Sequence, residues 1–143
     1  MRLQVSPINI VVIDDYEAWR HFVASALEKR PELRIVGEAA DGLEAVQRVK
    51  ELQPDLILLD IGLPKLNGLE AARRIRDCAP DTRIVFFSQN RSRDVVQEAM
   101  RIGDGYVLKS SAASELLSAV EAVLQGKQFL SASLSAYGPP RNK

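Results

Sequence analysis

"LILLDIGLPKLNGLE", residues Leu56 to Glu70, carries both the fold and the chemistry of this chain. Four apolar residues run straight into Asp60, and Gly62, Pro64 and Asn67-Gly68 follow closely. A short apolar run bounded by turn residues reads as a strand buried on both faces. Such a strand rarely finishes on a charge unless something compensates it. What compensates Asp60 depends on what stands at the ends of the other strands.

Upstream, "INIVVI" (Ile8 to Ile13) is a second short β-branched run, and it stops at Asp14-Asp15. From Glu17 to Arg30 the residues Trp19, Phe22, Val23, Ala26 and Leu27 recur at helical spacing. "LRIVGEA" is the next strand, and Asp41-Gly42 leads into a helix with Leu43, Val46, Val49 and Leu52 expected to face inward. Downstream of Asp60, Asn67-Gly68 opens a helix that runs to about Cys78. "TRIVFFS" is a strand ending at Ser88, and a helix over Asp94 to Ile102 follows. Gly103-Asp104-Gly105 turns into "YVLK", a strand ending at Lys109, and "AASELLSAVEAVLQ" is the last helix, with Gly126 as its C-cap.

Strands alternating with helices make a parallel sheet covered on both faces, with right-handed crossovers. The fold class is therefore α/β: a flavodoxin-like (βα)5 doubly wound parallel sheet of strand order 2-1-3-4-5. Residues 1–126 are expected to form this domain. Residues 127–143 read as a C-terminal tail or linker, partly disordered over about the last six positions.

Ligands of such sheets bind outside the carboxyl ends of the strands. Asp14 and Asp15, Asp60, Ser88 and Lys109 all end strands, so one crevice should collect them. Two carboxylates at ~4 Å repel by about 4 kcal/mol at an effective dielectric of about 20. Such a cluster needs a cation, and hard carboxylate oxygens in an open site suit Mg²⁺. A divalent ion, a lysine, a hydroxyl and a free carboxylate together describe a phosphoryl-transfer site. Asp60, central and followed by the Gly62 loop, is the expected nucleophile.

The composition of the 143 residues is that of an ordinary globular domain, 46% hydrophobic and 27% charged. Lys+Arg and Asp+Glu both number 19, and the net charge of zero argues against direct nucleic-acid binding by this chain. No apolar run approaches the ~20 residues that would span a membrane. A single cysteine, Cys78, fits a reducing, cytoplasmic setting, and a single histidine, His21, leaves no clustered His/Cys zinc site. His21 sits in a helical pattern and reads as a surface residue.

The Asp14-Asp15 pair, "LLDIGLPKLNG" around Asp60, Ser88 after an apolar strand, and "GYVLKS" with Tyr106 and Lys109 resemble the receiver domains of two-component response regulators. "GYVLKSSAASELLSAV" and "GKQFLS" are similar to the NarL/FixJ (LuxR-type) class, whose members usually carry a C-terminal DNA-binding domain. The resemblance implies that Asp60 accepts a phosphoryl group from the phosphohistidine of a sensor histidine kinase. It implies that Asp15, Asp60 and the main-chain carbonyl of Gly62 ligate Mg²⁺ directly, with Asp14 acting mainly through water. Lys109 and Ser88 would hold phosphoryl oxygens. Ser88 moving toward the phosphate would let Tyr106 turn inward, and Gly62 and Asn90 would tune dephosphorylation. Also implied are homodimerisation on phosphorylation, control of transcription through a DNA-binding domain outside this chain, and no turnover beyond phosphorylation and autodephosphorylation of the chain itself.

Three departures from the family pattern stand out. Gly103-Asp104-Gly105 is one residue shorter than the common turn, so the exit of the fourth helix is expected to shift. Gln89 replaces a small residue, which narrows access to the phosphate, and Lys109-Ser110 replaces Lys-Pro. Two other classes compete. A haloacid-dehalogenase-type aspartyl phosphatase would need an acid two residues after its nucleophile, where Gly62 stands. A flavodoxin-like cofactor binder would need a glycine- and hydroxyl-rich loop where "DDYEAW" would repel a phosphate.

Overall fold

The computed structural model describes residues 6–137. Strand β1 (Ile8–Ile13) sends Val11 and Ile13 to one face of a parallel sheet and Ile10 and Val12 to the other. This period of two splits the core into two layers, because side chains alternate across a strand. Helices α1 (Glu17–Leu27) and α5 (Ala112–Leu124) cover the Ile10–Val12 face with Val23, Leu27, Leu116 and Val120. Helices α2 (Gly42–Leu52), α3 (Gly68–Cys78) and α4 (Arg93–Ile102) cover the other with Val49, Ile75 and Val96. With β2 (Leu33–Ala39), β3 (Leu56–Leu59), β4 (Arg83–Ser88) and β5 (Gly105–Leu108), the expected order 2-1-3-4-5 is found.

On α2 the buried residues are Gly42, Ala45, Val46 and Val49, whereas Leu43 and Leu52, read from the sequence as inward, are 49% and 37% exposed. The small residues at positions 42 and 45 let the helix approach closely, and this turns the leucines to its flank. Gly42 marks the contact, since a Cβ there would lie 1.8 Å from the Leu66 carbonyl oxygen. The short Gly103–Gly105 turn is held by Asp104, whose carboxylate accepts from the Ile84 N–H (2.9 Å) and from Arg76 (2.7 Å). Arg76 also donates to the Ile102 and Thr82 carbonyls at 2.8 and 2.7 Å, so one side chain fixes the exit of α4.

A sixth strand extends the sheet. Gly126 adopts φ +88°, the left-handed conformation of a helix C-cap, and the chain turns back along the sheet. Phe129–Leu130 (β6) then pairs in parallel with β5, and residues 132–137 form a 3-10 turn against α4. The sequence reading places these residues in the tail. A two-residue strand has no periodicity to detect, and it forms because the β5 edge leaves backbone groups to satisfy. The disorder expected for the last six residues concerns positions outside the described residues.

Ser131 is the pin of this segment. Its hydroxyl accepts from the Leu108 N–H at 2.8 Å and donates to Glu115 on α5, while its own N–H donates to the Tyr106 carbonyl at 2.9 Å. Ser131→Ala is expected to cost about 1–3 kcal/mol, because it strands the buried Leu108 N–H. Urea unfolding checks this, and an unchanged midpoint would show the pin to be dispensable.

Candidate functional site

Register builds the site. Ile13 pairs with Leu59 across β1 and β3, and the Asp60 N–H donates to the Ile13 carbonyl at 3.0 Å. The next residues, Asp14 and Asp60, therefore emerge side by side. Ser88 pairs with Leu108, so Lys109 follows at the end of the adjoining strand. Asp14, Asp60, Ser88 and Lys109 are all buried, whereas Asp15 is exposed.

The Lys109 ammonium lies 2.6 Å from Asp14 Oδ2 and 3.2 Å from Asp60 Oδ2. Asp60 Oδ1 accepts from the Ile61 N–H at 2.7 Å, which fixes the carboxylate plane. Carboxylate oxygens of Asp14, Asp15 and Asp60 come within 4.8 Å of one another. Burial pushes the Asp14 carboxyl above its ordinary value, opposed by Lys109 and by the Tyr16 N–H. The buried Asp14 Oδ2 has the ion pair with Lys109 but no well-formed hydrogen bond. Three clustered carboxylates facing one ammonium leave net negative charge on hard oxygen donors, which fits a divalent cation of the Mg²⁺ type.

A cavity of about 370 Å³ opens above these groups, lined by Asp15, Tyr16, Asp60, Gly62, Ser88, Gln89, Asn90 and Lys109. Asp14 lies behind it. All the residues read from the sequence as ligands or phosphoryl-holding groups thus meet at one edge of the sheet. Neither Asp14 nor Asp15 is the N-cap of α1. Tyr16 is the N-cap of α1, no side chain bonds its first turn, and Asp14 Oδ1 accepts from the Tyr16 N–H at 3.0 Å. His21 is a surface residue, 73% exposed beside Glu17.

The β3–α3 loop owes its shape to Asn67-Gly68. Asn67 caps α3 by accepting from the Glu70 N–H at 3.0 Å. A Cβ on Gly68 would lie 2.0 Å from the Asp60 carbonyl oxygen, so only glycine lets α3 start this close to the acid.

Tyr106, whose expected role is to turn inward, is fully buried here. Its hydroxyl donates to the Asn90 carbonyl at 2.6 Å, while the Ser88 hydroxyl accepts from the Asn90 N–H at 3.1 Å. The loop after β4 thereby ties Ser88 to Tyr106. Burial pushes the Tyr106 phenol up to about 12, partly opposed by Ser88. Below pH 10 the phenol is neutral in both folded and unfolded chains. Between about pH 10 and 12 the unfolded chain ionises while the folded one resists, so stability falls by roughly 1.4 kcal/mol per pH unit. The stability advantage of wild type over Tyr106→Phe at pH 8 should therefore shrink by about that amount at pH 11 in urea unfolding. A constant gap would place the phenol in a wetter environment.

Sequence reasoning missed Arg20, which donates to the Asp14 carbonyl at 2.6 Å and to Glu38 at 2.7 Å, clamping the acid-bearing turn from α1. It also missed how close Trp19 comes to Lys109. Helical periodicity places both residues on α1, but neither has a local signature of the contact.

Comparisons with known proteins point the same way. The response regulator receiver domain family matches residues 10–121. The nitrate/nitrite response regulator protein NarL of Escherichia coli K12 is 38% identical over 130 residues, covering 90% of this chain and 60% of the relative. The transcriptional regulatory protein DegU of Brevibacillus brevis is 37% identical over 124 residues, covering 86% of this chain and 52% of the relative. The chain thus spans little more than half the length of these relatives. Among solved structures, a LuxR-family two-component response regulator from Aurantimonas superposes with TM-score 0.87 at 34% identity, covering 92% of this chain and 95% of that one. The signal receiver domain of the putative response regulator NarL from Mycobacterium tuberculosis gives 0.80 at 31%, covering 86% and 100%. The dehalogenase-type alternative finds no support in these matches.

Proposed function

The chain belongs to the response regulator receiver domain family, and from that premise we propose that Asp60 is its phosphoacceptor, charged by the phosphohistidine of a sensor histidine kinase. The observation that carries this reading is Lys109 held between two strand-end acids beneath an open, polar cavity. A carboxylate oxygen of Asp60 forms the new bond to phosphorus, the phosphorus–nitrogen bond of the donor breaks, and the departing imidazole takes up a proton. Lys109 neutralises charge on the transferring oxygens, and the Ser88 hydroxyl donates to one of them. Asp15 and Asp60, with the Gly62 carbonyl, would hold Mg²⁺ directly, and the buried Asp14 would act through water. When bound there, Mg²⁺ offsets the charge of the acids and of the phosphoryl oxygens. Gly62 and Asn90, both on the cavity wall, are placed to set how water reaches the product, and so its hydrolysis.

In this reading the protein is a stoichiometric switch, promoting transfer to its own Asp60 and then hydrolysis. Its location is cytoplasmic, where kinases draw on ATP. Output runs through a DNA-binding domain outside this chain, and the neutral net charge assigns no DNA contact to the chain itself. Phosphorylation would reach the output through Ser88, Asn90 and Tyr106, a local charge event biasing a two-state element. Homodimerisation on phosphorylation belongs to the same proposal. Because β6 occupies the β5 edge, the α1–α5 face is the better candidate than the α4–β5–α5 face.

Beryllofluoride with Mg²⁺, a mimic of the phosphoryl group, tests the reading. It should raise the melting temperature of wild type by about 3 °C or more, the effect of at least ~1 kcal/mol of binding, and leave Asp60→Asn unmoved. The loaded form should also sediment as a dimer. Equal melting of loaded and free wild type would contradict the acceptor site, and equal sedimentation the dimer.

A further inference from the structure

Lys109 is enclosed on two sides by different chemistry. Carboxylates face it from β1 and β3, and aromatic rings close the other side. Its ammonium stands 5.1 Å from the Trp19 ring centroid and 5.6 Å from that of Phe87. The two rings meet edge to face, 5.4 Å apart at 88°, so they form a corner. Phe87 is buried on β4 and cannot move without the sheet, whereas Trp19 is partly exposed on α1. Beside the indole lies a second hollow of about 300 Å³, lined by Trp19, Gln89, Arg91, Lys109 and Ser110. Gln89 and Lys109 line both this hollow and the acceptor cavity.

We infer that Trp19 is a positioning residue for phosphoryl transfer: its ring face holds the Lys109 ammonium against Asp60. The inference rests on the acceptor reading above. A ring suits this place for a physical reason. A flexible lysine needs a partner on its outer side, or it will swing toward water. A carboxylate there would hold the ammonium but would also repel an incoming phosphoryl group. The π face attracts the cation without adding a formal charge. Leucine is smaller and has no π face, so it would leave the cation unheld.

The test uses the whole chain, in which Trp19 is the sole tryptophan. Phosphorylation by acetyl phosphate is followed in wild type, Trp19→Phe and Trp19→Leu, with melting temperatures measured alongside. Trp19→Leu should be slower by about two- to thirtyfold, the value of one cation–π contact, and Trp19→Phe should recover most of the rate. A purely structural role would instead make rate and melting temperature fall together. In wild type, beryllofluoride with Mg²⁺ should change the Trp19 emission as the ammonium shifts toward the mimic, and Asp60→Asn should show no change. That reading needs no tryptophan variant to fold. A wild-type rate in Trp19→Leu, or unmoved emission despite a melting shift that proves binding, overturns the inference and leaves the acceptor reading intact. No melting shift and no phosphorylation of wild type overturns both.

Discussion

Lys109→Ala is expected to destabilise the metal-free protein by about 3–5 kcal/mol, the cost of removing one partner from a buried ion pair. The side chain is 4% exposed and its ammonium is the near neighbour of both Asp14 and Asp60. Asp14 is already held above its ordinary value by burial, and Lys109 is the first influence opposing that. Without the ammonium, the three acids face one another alone. Mg²⁺ should therefore recover more stability in Lys109→Ala than in wild type, because it replaces a lost charge rather than joining an existing one. Phosphotransfer should not recover with it. Removing a preorganised cation from developing charge costs on the order of a hundredfold or more in rate. Denaturant unfolding with and without Mg²⁺, beside a phosphorylation time course, checks both halves. A variant as stable as wild type, or one that keeps its rate, would mean that Lys109 is a bystander.

Asp60→Asn should abolish phosphorylation while leaving the metal-free fold at least as stable as wild type. The amide cannot form the acyl phosphate, so incorporation falls to background. Stability moves the other way for an electrostatic reason. Asp60 gains from Lys109 at 3.2 Å but loses against Asp14 and Asp15, whose oxygens lie within 4.8 Å. At an effective dielectric of about 20 these contributions are each about 3–5 kcal/mol, and two repulsions outweigh one attraction. The same substitution should weaken Mg²⁺ binding, since one of its hard oxygen ligands is gone. An Asp60→Asn protein that melts well below wild type would show that the carboxylate is structural first. Residual phosphorylation would show that another acid accepts the group.

The parts of this site that were legible in the sequence share one property: topology alone places them. Once alternation and strand length fix a parallel sheet of order 2-1-3-4-5, Asp14, Asp15, Asp60, Ser88 and Lys109 must share an edge, whatever lies between them. Side chains that reach the site from elsewhere left no such trace. Arg20 and Trp19 sit one residue apart on α1, and only the packing of α1 on the sheet shows that one grips the Asp14 carbonyl and the other faces Lys109. Ser131 was illegible because the strand before it has two residues and forms only against a ready-made edge. Leu43 and Leu52 misled for the opposite reason. They fit a helical stripe, but Gly42 and Ala45 decide the rotation of α2 through close approach, which a hydrophobicity pattern does not weigh.

Intact mass spectrometry after incubation with acetyl phosphate and Mg²⁺ tests the central claim, that these strand ends form one acyl-phosphate site. Wild type should gain a single phosphoryl group, lose it on treatment with hydroxylamine as an acyl phosphate does, and carry it on the peptide containing Asp60. An unchanged mass, an adduct that survives hydroxylamine, or a phosphoryl group on any other residue would contradict the account.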